Sequence, residues 1–142
     1  VYNAAEYVGK CLESVALQDY KNIEIIVVED GSDDESPDVC KEYARRYDNI
    51  KVYHDKCGTA GAARNYGMSK AAGDYVMFVD ADDYLTDNCV VSELIKKVEN
   101  VDIVVGNYQR LWICRIKYEF SGFCFWWIFF NRDIVVCMGK VV

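Results

Sequence analysis

The feature that most constrains the fold is a β-branched, almost wholly apolar run from Ile23 to Val28 that ends in the turn residues Glu29-Asp30-Gly31-Ser32. A run of this kind predicts a strand that is buried on both faces, as in parallel sheets. Shorter runs at Ile50–Tyr53, Tyr75–Val79 and Ile103–Val105 predict three further strands. The chain is therefore expected to be built around one sheet.

Helical patterns separate these strands. Apolar residues recur at helical spacing from Val8 to Ala16, and Ser36-Pro37 is typical of a helix start, with Ser36 as the N-cap. A small-residue helix is predicted from about Ala62 to Ala72, and Asp87 is expected to cap another. Alternating strands and helices predict an α/β fold with a doubly wound, mostly parallel sheet flanked by helices, whose ligand sites lie at the carboxyl ends of the strands.

The pattern holds only for the first part of the chain. We expect residues 1–110 to form the α/β domain and residues 111–142 to be an abbreviated or irregular segment of it, because no clean period appears after Leu111. The opening Val1-Tyr2-Asn3 reads as the end of a strand. The apolar stretch Phe120–Phe130 is too short to span a bilayer, so it predicts a buried segment, with contact at a membrane surface as the alternative.

The net charge and the cysteine and histidine content of the chain argue against two classes of function. A net charge of −7 disfavours nucleic-acid binding, which needs a basic face. An acidic protein can still bind an anionic nucleotide if a divalent cation lies between the two. The seven cysteines include no CxxC pair and the chain has one histidine, so no zinc site is predicted. Reduced, mostly buried cysteines of a cytoplasmic protein are the expectation.

Two acidic clusters stand at predicted strand ends. Asp80 and Asp82 follow Tyr75–Val79, and in an extended chain side chains two apart point the same way. Paired carboxylates at such a place suit Mg²⁺ or Mn²⁺. The alternative is a solvated turn with helix-capping acids. The second cluster, Glu29-Asp30, could accept hydrogen bonds from a base or a ribose, although alone it is an ordinary strand-to-helix turn.

A glycine-bearing loop at Gly58–Gly61 leads into the third predicted helix. The start of a helix after such a loop is a natural phosphate site, and Arg64 could pair with a phosphate or hold a site carboxylate. The segment does not match a P-loop, because no GK[ST] follows. A small-residue helix that packs closely on the sheet is the alternative.

These segments, taken in order, resemble the landmarks of the family 2 glycosyltransferases. The similarity lies in Val1–Val15, Tyr20–Ser32, Gly61–Gly67 and Gly73–Asp83, and it extends over about Val1 to Tyr108. The resemblance implies a GT-A type fold and a nucleotide-sugar donor, usually a UDP-sugar. It also implies a divalent metal, Mn²⁺ or Mg²⁺, inversion at the anomeric carbon, and a glycan or lipid-linked acceptor.

By position, the resemblance implies that Asp30 contacts the uracil and that Tyr2 lies near the base. Asp80 would lie on the ribose or metal side of the nucleotide, and Asp82 would be a metal ligand. Arg64 would support the nucleotide pocket. Together with Glu29 from the acidic strand end, the predicted nucleotide-binding residues are Tyr2, Glu29, Asp30, Arg64 and Asp80, and the predicted metal ligands are Asp82 and Asp80.

The catalytic residue stays unassigned. The family places an acidic pair that contains the base well after the DxD motif, whereas here Glu119 and Asp133 are the only late acids. The expected function is metal-assisted glycosyl transfer in the cytoplasm, with peripheral contact at the membrane face left open. One alternative is a non-catalytic nucleotide-binding domain. The other is a DxD phosphatase, with Asp80 as nucleophile, or a nucleotidyltransferase.

Overall fold

The computed structural model describes residues 1–98, 103–104 and 106, together with the backbone of 133–138. Within these residues four helices alternate with four strands. In chain order the elements are α1 (Ala5–Ala16), β1 (Ile23–Glu29), α2 (Ser36–Arg46), β2 (Ile50–His54), α3 (Ala60–Lys70), β3 (Tyr75–Asp80), α4 (Val90–Ile95) and β4 (Asp133–Met138).

The sheet has the strand order β2-β1-β4-β3. β2 is parallel to β1, whereas β4 is antiparallel to both β1 and β3. Strands β1, β2 and β3 therefore run in the same direction, and their carboxyl ends meet at one edge. The predicted α/β class, with helices flanking a sheet in which three of the four strands run the same way, is confirmed.

Alternate residues of β1 serve two different packing layers. Ile25 and Val27 belong to the larger core with Leu12 of α1, whereas Ile26 and Val28 pack with Ala63 of α3. Both faces of the strand are thus buried, which is why its apolar run is nearly continuous. Fully burying a leucine or isoleucine side chain contributes about 1.5–3 kcal/mol.

The sequence placed two helix starts wrongly. The N-cap of α2 is Glu35 rather than Ser36, because the Ser36 hydroxyl instead accepts a hydrogen bond of 2.8 Å from the N–H of Ala4. α3 begins at Ala60 rather than Ala62, since Thr59 caps it by accepting from the N–H of Ala62. In both cases one side-chain oxygen decides the boundary.

The predicted capping role of Asp87 is also wrong, because α4 begins at Val90 and its cap makes no side-chain hydrogen bond. A buried side chain, Gln18, provides the polar contacts here. Its amide nitrogen donates to the carbonyls of Ser14 (3.0 Å) and Asp87 (2.6 Å), and its oxygen accepts from the N–H of Val91 (3.0 Å). Gln18 thereby joins the end of α1 to the segment that follows β3.

The predicted fourth strand is not found where it was expected. Ile103 and Val104 lie outside any strand, and Val105 lies outside the described residues. The fourth strand is β4, in the segment for which no period was found. Its run Ile134–Val136 is β-branched and was the available signal. The expectations for Phe120–Phe130 and Glu119 lie outside the described residues.

Two further expectations concern thiols and membranes. Cys11 and Cys40 are buried free thiols, and burial is the main cause that raises the pKa of Cys40 to about 11. Cys57 and Cys89 are also free and are partly buried. In the part of the chain that the structure describes, no helix has the length and apolar character needed to cross a bilayer.

Candidate functional site

Asp30 lies directly after β1 and connects two loops at the carboxyl edge of the sheet. Its Oδ1 accepts hydrogen bonds from the backbone N–H groups of Cys57 (2.5 Å) and Gly58 (3.0 Å). Both donors belong to the loop between β2 and α3. One carboxylate oxygen thus fixes the approach to α3, while a carboxylate has capacity for further bonds at its second oxygen.

Glu29, the last residue of β1, has its carboxylate in the interior. Only 4% of the residue is exposed, and its two oxygens contact the N–H of Ser32 (2.6 Å) and Nδ1 of His54 (3.2 Å). Burial by itself would raise the pKa of Glu29, but the hydrogen bonds from Ser32 and His54 lower it overall. The carboxylate is therefore held ionised within the turn.

Gly31 has a positive φ of +73°, and a Cβ built on it would lie 3.2 Å from two carbons of the Lys56 side chain. A side chain here would be strained by the backbone and crowded by Lys56. The β1 turn and the β2–α3 loop are therefore in close contact at this point as well.

We expect Gly31→Ala to lower the free energy of unfolding by about 1–2 kcal/mol, because alanine disfavours a positive φ. Gly61→Ala is the matched control, since Gly61 lies in α3 and a Cβ there meets nothing within 4 Å. That control should be neutral or raise stability by up to about 1 kcal/mol. Urea denaturation of both variants tests this, and equal destabilisation would contradict it.

Asp80, the last residue of β3, forms an ion pair with Arg64 of α3. The Nη2–Oδ1 distance is 3.3 Å, and each side chain is 18% exposed. The guanidinium also lies 5.8 Å from the ring centroid of Phe78. The backbone carbonyl of Asp80 accepts a hydrogen bond from the Cys11 thiol at 3.3 Å. Asp80 is thus held by a helix on each side of the sheet.

The DxD segment is a turn and not the extended chain that the sequence predicted. The N–H of Asp83 donates to the carbonyl of Asp80 at 2.9 Å, and Ala81 between them is fully buried. Asp82 is exposed on this turn. Burial, followed by the neighbouring carboxylate of Asp82, raises the pKa of Asp83. The carboxylates of Asp80, Asp82 and Asp83 therefore lie within a single turn at the end of β3.

Tyr2 lies beside the Asp30 turn, because the Val1 carbonyl accepts a hydrogen bond of 2.9 Å from the N–H of Asp30. The tyrosine is 40% exposed. The next residue, Asn3, adopts a φ of 46°, and its side-chain oxygen accepts from the N–H of Asp33 at 3.0 Å. Sequence reasoning missed Asn3, although asparagine is among the residues that tolerate this conformation.

The comparison with protein families decides the relationship. The family model described as "Glycosyl transferase family 2" matches residues 1–134. The chain belongs to glycosyl transferase family 2. The GT-A type fold expected from the sequence is supported by a solved relative, the crystal structure of S. aureus TarS 1-349. It is 30% identical with a TM-score of 0.57, and the match covers 66% of this chain and 28% of that one.

Curated relatives agree with this assignment. "Glycosyltransferase GlyA" of Streptococcus pneumoniae is 45% identical over 109 residues, which are 76% of this chain and 16% of that protein. "Putative glycosyltransferase EpsH" of Bacillus subtilis is 41% identical over 108 residues, which are 76% of this chain and 31% of that protein. The chain thus spans less than a third of the length of these relatives.

The carboxylates at the end of β3 fit a hard divalent cation by their chemistry. Asp80 and Asp82 offer the carboxylate oxygen ligands that such a cation prefers. No group of three or more potential ligands is arranged as a metal site among the described residues. Two carboxylates suffice for Mg²⁺ when substrate phosphates complete its shell.

The sequence patterns bear on His54 only as a possible zinc ligand. They do not predict its position beside the acidic residues at the end of β1. It ends β2 directly opposite Glu29 in the parallel register. Its side chain is 48% exposed. The signal that could have found it is its position at the end of the strand adjacent to β1, at the edge where both acidic clusters lie.

Proposed function

We propose that this chain forms the donor-binding part of a glycosyltransferase. The enzyme would transfer a sugar from a nucleoside-diphosphate sugar, with UDP as the expected nucleotide, to a hydroxyl of a glycan or lipid-linked acceptor, with inversion. The observation that carries the proposal is the Arg64–Asp80 pair at the end of β3, next to the exposed Asp82. Family membership gives the reaction class its support.

The base and ribose would lie at the end of β1. Asp30 uses Oδ1 for the β2–α3 loop, so its other oxygen is suited to accept from an N–H of the base, such as that of uracil. Tyr2 offers a half-exposed aromatic ring beside the same turn. Because Gly31 has no side chain, a ligand can approach the backbone of this turn closely.

The diphosphate would lie at the end of β3. Arg64 orients the Asp80 carboxylate, and its guanidinium keeps the surroundings less negative. Asp80 and Asp82 are the residues that would hold Mg²⁺ or Mn²⁺. When bound, such an ion offsets the charge of the departing nucleoside diphosphate. Pairing with Arg64 also fits an orienting role for Asp80 better than the nucleophilic role that a phosphatase would require.

The acceptor half of the reaction needs a general base that takes the hydroxyl proton as the oxygen attacks the anomeric carbon. We assign this role to none of the described residues. Because the chain spans a small share of its relatives, the proposal covers donor binding by this chain and transfer by the whole protein.

Calorimetric titration with UDP, with and without Mn²⁺, tests the donor site. We expect binding that depends on Mn²⁺ and that Asp82→Ala weakens by at least about tenfold, since loss of a metal ligand should cost no less than loss of a group that only orients one. Asp87→Ala is the matched control, because Asp87 is an exposed acid on the same connection and lies outside the proposed site. The affinity of the Asp87→Ala variant for UDP in the presence of Mn²⁺ should stay within about twofold of that of the native protein.

Two results would contradict the proposal. UDP binding of equal strength without Mn²⁺ and in Asp82→Ala would remove the metal-ligand role. No UDP binding by protein that is folded by circular dichroism would contradict the donor site itself and would favour a non-catalytic role for this part of the chain.

A further inference from the structure

Glu29 and His54 end two neighbouring parallel strands and face each other in register. The Glu29 side chain is 5% exposed and that of His54 is 48% exposed. The contact joins Oε2 of the carboxylate to Nδ1 of the ring at 3.2 Å. A buried acid and a half-exposed histidine thus meet at the edge where the nucleotide is proposed to bind.

This contact determines which ring nitrogen carries the proton. An ionised carboxylate can only accept hydrogen bonds, so Nδ1 of His54 must be the donor. A neutral imidazole has a single N–H, and the other nitrogen is then an acceptor. Glu29 therefore selects the Nδ1–H tautomer of His54 and makes Nε2 an acceptor.

The same carboxylate fixes the turn after β1. Oε1 of Glu29 accepts from the N–H of Ser32 at 2.6 Å, and the Ser32 hydroxyl accepts from the N–H of Asn3 at 3.1 Å. Glu29 is therefore bonded to the end of β2 on one side and, through Ser32, to the segment that contains Tyr2 on the other.

Asp30 makes the second connection between the same loops, through the N–H groups of Cys57 and Gly58. Without the Glu29–His54 contact, the start of the β2–α3 loop would be held by Asp30 and by the backbone bond from the N–H of Asp55 to the carbonyl of Glu29 (3.0 Å), and the His54 side chain would lose its partner. The loop leads through Thr59 into α3, which carries Arg64. Its position therefore affects both ends of the proposed nucleotide site.

We propose that Glu29 and His54 form a positioning pair for the nucleotide site, in which Glu29 acts through His54 and Ser32 and does not itself touch the nucleotide. This rests on the proposed function, and it replaces the direct nucleotide contact that the sequence predicts for Glu29 at the end of its strand. Both carboxylate oxygens of Glu29 are engaged inside the protein, whereas one oxygen of Asp30 suffices for its loop contacts.

Nitrogen-15 NMR of labelled histidine tests the pair without any ligand. His54 is the only histidine in the chain, so its ring signals need no assignment. At neutral pH we expect the Nδ1–H tautomer in the native protein. In Glu29→Gln the amide oxygen would keep the Ser32 N–H bond and the amide NH₂ would face Nδ1, so the proton should move to Nε2.

Glu24→Gln is the matched control. Glu24 also lies on β1 and contacts β2, through Lys51 Nζ at 2.6 Å, but five residues before the site. The control should leave the His54 tautomer unchanged. An Nε2–H tautomer in the native protein, or an unchanged tautomer in Glu29→Gln, would overturn the pair.

UDP titration in the presence of Mn²⁺ tests its role in binding. We expect Glu29→Ala and His54→Ala to weaken UDP binding by about tenfold, because each removes the contact between the two side chains. Glu29→Gln, which keeps both hydrogen bonds, and His54→Asn, whose amide can donate in place of Nδ1–H, should keep most of the affinity. Unchanged affinity in the first two variants overturns the positioning role alone. A native protein with the expected tautomer that binds no UDP contradicts the proposed function and, with it, the role of the pair in binding.

Discussion

Arg64→Ala is expected to lower the free energy of unfolding by about 3 kcal/mol and also to weaken Mn²⁺-dependent UDP binding, because Asp80 loses the guanidinium that orients its carboxylate. The reason is that Arg64 and Asp80 are both largely buried, at 18% exposure each, and lie 3.3 Å apart. Removing one member of such a pair leaves an uncompensated charge, which costs about 3–5 kcal/mol when the pair is fully buried. The small remaining exposure places the estimate at the lower end.

Urea denaturation measures the stability effect, and calorimetry measures the binding effect. Arg45→Ala, at an exposed arginine of α2, is the control and should change the unfolding free energy by less than about 0.5 kcal/mol. Arg64→Lys keeps the charge but loses the planar guanidinium, so intermediate loss is expected for both quantities. Arg64→Ala with native stability and native affinity would contradict the structural account of the site.

Gln18→Ala is expected to lower the free energy of unfolding by about 3 kcal/mol, although the residue is remote in sequence from the site. Gln18 is 2% exposed and makes three hydrogen bonds, to Ser14, Asp87 and Val91. Alanine would leave the buried N–H of Val91 without this partner, at about 1–3 kcal/mol, would remove two part-buried bonds to the carbonyls of Ser14 and Asp87, and would create a cavity. The segment between β3 and α4 should loosen first.

Thermal and urea unfolding test this prediction, with Leu17→Ala as the neighbouring control. Leu17 is 56% exposed, so its loss should cost less than about 0.5 kcal/mol. Hydrogen exchange should show faster exchange at Val91 in Gln18→Ala, because its N–H loses the glutamine oxygen. Protection of Val91 equal to that in the native protein would count against the proposed role of Gln18.

The sequence predicted the features that depend on local patterns. The apolar run of β1 and the helical period of α1 were both confirmed, because each pattern reflects one buried strand or one buried helix face. It predicted less well wherever a distant group decides the geometry. Ser36 is not an N-cap because Ala4 uses its hydroxyl, and Asp87 is not a cap because Gln18 supplies the polar contacts.

The candidate site shows the same division. The acidic residues could be predicted from their positions at strand ends. The structure also brings Arg64 into contact with Asp80, in agreement with the prediction that Arg64 could hold a site carboxylate. The side chain of Glu29 could not be placed from the sequence, because its direction depends on His54 of another strand. The bend at Asp80–Asp83 was missed because alternation along an extended chain does not apply within a turn.

The hydrogen bonds between the turn after β1 and the loop before α3 have a consequence for exchanging donor pockets between members of the family. Glu29 and Asp30 supply the acceptors, while His54, Cys57 and Gly58 supply the donors. Cys57 and Gly58 donate from backbone N–H groups, which any residue except proline provides, whereas the contact with Glu29 needs the His54 side chain. Residues 29–32 and 54–59 therefore belong together in such an exchange, and a chimaera that carries both should be more stable than one that separates Glu29 from His54.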